Sequence, residues 1–125
     1  MQHNNVEADS KDIKNRTPLS HAAQCGDRAK TVVRLLLERN DVDADSKDIR
    51  NRTPLSYAVA RWGDRAETVV RLLLERNDVD ANTIDNRGYT PLYYATMCQR
   101  TAENVLRLLQ SARYIPLKKK WLIDK

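Results

Sequence analysis

A chain of 125 residues has the length of one domain, and 31% charged residues with 6% aromatics, no Phe and 3 Gly suit short, charge-coated helices around an aliphatic core. The polar, acidic segment after Met1 reads as neither a secretory signal nor a transit peptide, and no apolar run approaches the roughly 20 residues of a membrane span; an intracellular, cytoplasmic location is expected, with the nucleus open. A net charge of +5 permits attraction to acidic partners, although Lys118, Lys119 and Lys120 supply part of it.

Internal repetition dominates the chain. Residues 4–12 (NNVEADSKD) are nearly copied at 40–48 (NDVDADSKD), so the sequence reads as opening inside the tail of an earlier unit, as a fragment would. Thr17-Pro18-Leu19-Ser20 returns as Thr53-Pro54-Leu55-Ser56 and again as Thr90-Pro91-Leu92-Tyr93, at steps of 36 and 37 residues. Each Thr is placed to cap a helix with its hydroxyl, and each Pro takes the first helical position, where a missing N–H costs nothing. A short helix from there to about Cys25 is ended by Gly26-Asp27, and Asp27 or Thr31 is expected to cap the next one. In that second helix Ala29, Val32, Val33 and Leu36 fall at i, i+3, i+4 and i+7, which predicts one apolar stripe with Arg28, Lys30, Arg34 and Glu38 off it.

The second copy repeats this helix as VVRLLLE at 69–75, preceded by the capping-box pattern Asp64…Glu67; the third decays to VLRLLQS at 105–111. None of these helices is long enough to persist alone in water, so stacked neighbours must hold them. Pro116 stops the last helix, and the apolar residues after it read as a cover for the final repeat. The expected division is a remnant at 1–11, repeats at 12–47, 48–84 and 85–115, and a basic tail at 116–125.

Asp12-x-x-Asn15-x-Thr17-Pro18-Leu19-x-x-Ala22-Ala23, then Gly26 and Val32-Val33-x-Leu35-Leu36-Leu37-Glu38, resembles the ankyrin repeat, and residues from Asp48 and from Asp85 match in the same register. The resemblance covers roughly residues 4–112 and implies an all-α solenoid of stacked helix–turn–helix units with hairpin-like loops. The long period and the phrases ADSKD and RTPLS are similar to the divergent ankyrin arrays of filamentous fungi, which often sit behind nucleotide-binding signalling domains. The family pattern is broken in places. Asn15 and Asn51 stand where Gly88 keeps the turn glycine, and Ser20, Ser56 and Tyr93 stand where the family has His. Copy two has one additional residue around Ala60-Arg61-Trp62, and copy three has Gln99-Arg100 in place of the inter-helix Gly.

No catalytic centre, cofactor or metal site is read from the chain. His3 and His21 lack metal-ligand spacing, and the three Gly are isolated, so no phosphate loop exists. Cys25 and His21, four apart on one helix, read as a packed or half-exposed pair rather than a nucleophile and its base. Cys25 and Cys98 occupy equivalent positions two repeats apart, about 20 Å for helices spaced 8–10 Å, so both are expected as free thiols. Asn15-Arg16-Thr17 and Asn51-Arg52-Thr53 fit the glycosylation acceptor pattern, but each Thr is wanted as a helix cap.

The resemblance implies a non-catalytic protein–protein interaction module, monomeric and part of a larger scaffold or receptor-like signalling protein, whose partner meets the hairpin tips and the exposed face of the first helix. Carried onto this sequence, the tips hold Lys14, Arg16, Arg50, Arg52, Arg87 and Tyr89, a basic ladder suited to an acidic protein surface. The helix-end positions include Arg61 and Trp62, and Trp62 is the natural anchor because Trp and Arg dominate binding hot spots. The rival is nucleic acid or another anionic surface. Against it, aromatic residues do not interleave with the basic ones, and Asp41, Asp43 and Asp45 lie nearby.

Overall fold

The computed structural model describes residues 8–97 and 103–112; Cys98, the Gln99-Arg100 turn and the cover expected after Pro116 lie outside them. Six α-helices run through the described residues, with no strand among them: α1 (Pro18–Ala23), α2 (Lys30–Leu37), α3 (Pro54–Trp62), α4 (Glu67–Glu75), α5 (Pro91–Met97) and α6 (Glu103–Ala112). Helices α1, α3 and α5 stack in one row and α2, α4 and α6 in a second, so the three Thr-Pro-Leu sites lie side by side. This is the all-α repeat solenoid expected.

Local chemistry sets the start of each first helix. Thr17 and Thr53 are extended and fully buried, and their hydroxyls accept from the Ser20 and Ser56 amides at 3.2 Å. The Thr90 hydroxyl accepts from the Tyr93 amide at 3.1 Å. Between the rows lie Leu19, Val33, Leu55, Val59, Val69, Val70, Leu73, Val105 and Leu109, all buried. Ala22, Ala23, Ala58 and Ala95 keep the first helices slim enough for this approach.

Three local expectations are corrected. The stripe on the second helix does not hold in repeat 1: Val33 is buried, but Val32 is 50% exposed, whereas its counterpart Val69 is fully buried. The physical reason is position, because α4 lies between α2 and α6 while α2 has a described neighbour on one side only. Asp27 does not cap its own helix, which begins after Ala29 with no side-chain cap. Instead it reaches the next repeat, where its carboxylate accepts from the Thr68 amide at 3.3 Å and the Val69 amide at 3.0 Å. The Asp64…Glu67 box is likewise not made: α4 starts from Ala66 without a side-chain cap of its own, and Glu67 pairs with Arg71 at 2.8 Å. A box signals that a carboxylate is available, not which helix will take it.

The loops between repeats also lean on one another. Asp9 accepts from the Asp43 amide, and Asp45 accepts from the Asp80 amide at 3.1 Å, one repeat on each time. Burial pushes the Asp45 carboxyl up to about 6, with the charges of Asp80 and Asp43 adding to it against the Asp80 N–H and Lys47. Its folded-state pKa thus exceeds the ordinary value near 3.9, and the fold is penalised as pH rises through that window and the carboxylate charges. Asp45→Asn, which leaves an oxygen for the Asp80 amide and copies Asn82 of repeat 2, should raise the urea midpoint at pH 7. The gain should fade as pH drops from 6 to 4, where Asp45 itself protonates. A pH-independent difference would remove the ionisation as its cause.

Candidate protein-interaction surface

The hairpin tips are built by aspartates. Asp12, Asp48 and Asp85 each fold their own tip: Oδ1 accepts from the amides two and four residues on (Lys14 and Arg16, Arg50 and Arg52, Arg87 and Tyr89) at 2.8–3.0 Å. The turn then needs a left-handed residue, and Asn15 (φ 61°), Asn51 (φ 59°) and Gly88 (φ 83°) supply it. Asn tolerates this region better than most residues, which is why the repeats keep their tips without the family glycine. Adjacent tips are tied directly: the Ile49 amide donates to the Lys14 carbonyl at 3.1 Å and the Asn86 amide to the Arg50 carbonyl at 2.9 Å.

The second oxygen of each aspartate turns to the first helix. His21 Nε2 meets Asp12 at 3.0 Å, and the Tyr57 and Tyr94 hydroxyls donate to Asp48 and Asp85. These residues stand one place after the position where the family carries His, and in this chain they tie each tip to its first helix. Burial, the Asp48 hydrogen bond and the Asp48 charge push the Tyr57 hydroxyl up to about 12, so it stays a donor at any physiological pH. Burial raises the Asp85 carboxyl, but the Tyr94 hydroxyl, the Tyr89 and Arg87 amides and the Arg52 charge outweigh it and hold it below its ordinary range.

This network divides the basic residues into two sets. Arg16 is bound to Asp12 at 2.9 Å. Arg52 lies half-buried between the Tyr57 and Tyr94 rings, at 5.8 and 5.7 Å from their centroids, donates to the Tyr94 hydroxyl at 3.2 Å, and sits 3.6 Å from Asp85. Both guanidiniums hold the scaffold. Lys14, Arg50 and Arg87 are exposed at one position of three successive tips, and none has a carboxylate partner among the described residues. Beside them Ile13 and Ile49 are exposed, and Arg50 and Arg87 border a groove of about 330 Å³ with Arg52, Asp85 and Asn86. Tyr89 stacks on Tyr93 at 4.2 Å and meets Tyr94 edge-on at 5.6 Å, closing the row with an aromatic platform that residue spacing alone did not reveal.

The helix-end residues are not one group. Arg61 is exposed. Trp62 is half-buried and occupied by the neighbouring repeat: its indole N–H donates to the Gln24 carbonyl, and its ring covers Gly26. Helix α3 runs to nine residues against six in α1, and Trp62 at its end lies at this seam. Cys25 is a free, exposed thiol whose Sγ faces the His21 carbonyl, not the imidazole, which is engaged by Asp12. Among the described residues no three His, Cys, Asp or Glu are grouped to hold a metal ion, and no helix is long and apolar enough to cross a membrane.

The family model for ankyrin repeats (3 copies) matches residues 1–82 and 33–119. The chain belongs to the ankyrin repeat family. Comparison with curated proteins gives no match. Ankyrin repeats are generally protein–protein interaction modules and typically carry no catalytic activity, and the row of tips in this ankyrin array is where exposed charge, apolar side chains and aromatic rings meet.

Proposed function

We propose that this ankyrin array binds an acidic protein surface through its hairpin tips, as an interaction module of a larger intracellular scaffold or receptor-like protein. The observation that supports it is the exposed row Lys14, Arg50 and Arg87, none paired with a carboxylate among the described residues, set on backbone already fixed by the tip aspartates. Preorganised backbone lowers the entropy lost on binding, and Ile13, Ile49 and the Tyr89–Tyr93 stack supply apolar area next to the charge. Arg16 and Arg52 serve the scaffold and lie outside the contact set.

The triple reversal Lys14→Glu, Arg50→Glu and Arg87→Glu should lower capture of the partner from cell extract at least tenfold while leaving the unfolding midpoint in place. Lys30→Glu, exposed on α2, is the control that should bind normally. Capture should weaken with added salt, as contacts between exposed charges do. Equal capture by the triple variant would end this reading. Retention of single-stranded nucleic acid on filters, with a steep salt slope lost in the same variant, would move the function to the rival class.

A further inference from the structure

We infer that the groove between the second and third hairpin tips is a phosphomonoester site, which takes a phosphorylated serine or threonine of the protein partner. This rests on the tip-binding function proposed above and names the group that the tips read.

Arg50, Arg52 and Arg87 line this groove of about 330 Å³ together with Asp85 and Asn86. The other polar groups of its wall are already engaged. Asp85 Oδ1 accepts from the Arg87 and Tyr89 amides and its Oδ2 from the Tyr94 hydroxyl, with Arg52 3.6 Å away. The Asn86 side chain accepts from Asn51 at 2.9 Å and donates to the Ile49 carbonyl at 3.3 Å. Arg52 is fixed to the wall by the Tyr94 hydroxyl and stays part of the scaffold, its charge facing the groove. The Arg50 and Arg87 guanidiniums have no partner among the described residues, and the bond from the Asn86 amide to the Arg50 carbonyl holds their two tips side by side.

Three guanidiniums against one carboxylate leave two positive charges uncompensated. A carboxylate brings one negative charge and two oxygens, enough for one guanidinium fork. A phosphodiester, as in nucleic acid, offers no more. A phosphomonoester brings a charge of about −1.5 to −2 and three acceptor oxygens, so two forks can share it through charge-assisted pairs. The equivalent place between the first and second tips is built differently. There Lys14 stands for Arg50 and Ile49 for Asn86, and Arg16, the counterpart of Arg52, is bound to its own Asp12 at 2.9 Å. Lysine is a point charge without a fork, so one phosphate is read, at one end of the row.

The test titrates the full chain with N-acetyl-phosphoserine methylamide and follows the backbone amides by heteronuclear NMR. The Asn86 and Arg87 amides should shift saturably at pH 7, with an affinity about tenfold above that of N-acetyl-glutamate methylamide. Lowering the pH to 5 should weaken binding about fivefold, because the phosphate loses its second charge at about pH 6 while Asp85, held below its ordinary range, stays ionised. Arg50→Lys with Arg87→Lys keeps both charges, and Lys14 shows that a tip accepts the residue; the pair should cost about tenfold for phosphoserine and little for glutamate. Equal affinity for the two probes, or no saturable shift at these amides, would overturn the inference. So would retention on phosphatidylcholine vesicles carrying phosphatidylinositol phosphate that the double Lys variant loses, which would assign the groove to a lipid head group. Phosphatase treatment of the cell extract should lower capture of the partner about tenfold. If treated extract is captured equally while the triple reversal still loses capture, the acidic-surface reading stands and the phosphate site falls; if the triple reversal captures normally, both fall.

Discussion

Leu73→Ala should cost about 2–5 kcal/mol of unfolding free energy, and Leu36→Ala, the same change at the equivalent site, less than half as much. Leu73 is fully buried in α4, a helix in contact with those on either side of it, so removing the three carbons beyond its Cβ leaves a cavity that two repeats must share. Leu36 is only partly buried, on a helix with a described neighbour on one side of its row only, and water can fill the space it leaves. The consequence exceeds one side chain. In a stacked array each unit is held by its neighbours, so weakening the middle repeat uncouples the two ends. Urea titration followed by far-UV circular dichroism should show this as a lowered midpoint with a broader transition for Leu73→Ala, and a sharp, slightly shifted one for Leu36→Ala. Equal losses would mean that burial in repeat 2 does not come from its central place.

Much of this architecture was legible in the sequence because the decisive signals were local. The Thr-Pro pairs fix helix starts through a hydroxyl and a ring, and three copies in phase fix the stacking. Asn15 and Asn51 were readable as left-handed turn residues for the same reason. What stayed hidden was every contact whose partner lies one repeat away. Asp27 looks like a cap for the helix that follows it, yet its carboxylate serves α4 across a separation of more than 40 residues. Val32 belongs to an apolar stripe by spacing, but spacing cannot say whether a neighbour exists to bury it. Arg16 and Arg52 share the ladder's composition with Lys14, Arg50 and Arg87, and only the aspartate and tyrosine placement separates scaffold from surface. The Asp12, Asp48 and Asp85 pattern was visible, and with it the nine-residue step to His21, Tyr57 and Tyr94; reading that step as a hydrogen bond would have found the network.

Gly26→Ala should destabilise the protein by about 2–5 kcal/mol, and Trp62 should account for much of it. Gly26 has φ +67°, a region that costs an L-residue about 1–2 kcal/mol. A Cβ there would stand 2.9 Å from Trp62 Cγ and 3.1 Å from the Arg65 carbonyl oxygen, and displacing packed atoms adds about 1–3 kcal/mol. The indole cannot swing aside cheaply, because its N–H is held by the Gln24 carbonyl. In a Trp62→Ala background the ring is gone, and Gly26→Ala should then cost little more than its backbone strain and the contact with Arg65. The double-mutant cycle isolates that difference as a coupling of about 1–2 kcal/mol. It also decides what Trp62 is for. A side chain that closes the seam between repeats lowers the unfolding midpoint when truncated, with no partner present. An anchor for a partner leaves the midpoint alone and lowers only binding. The covered ring and the bonded N–H assign Trp62 to the seam, and a Trp62→Ala chain with an unshifted midpoint would return it to the binding surface.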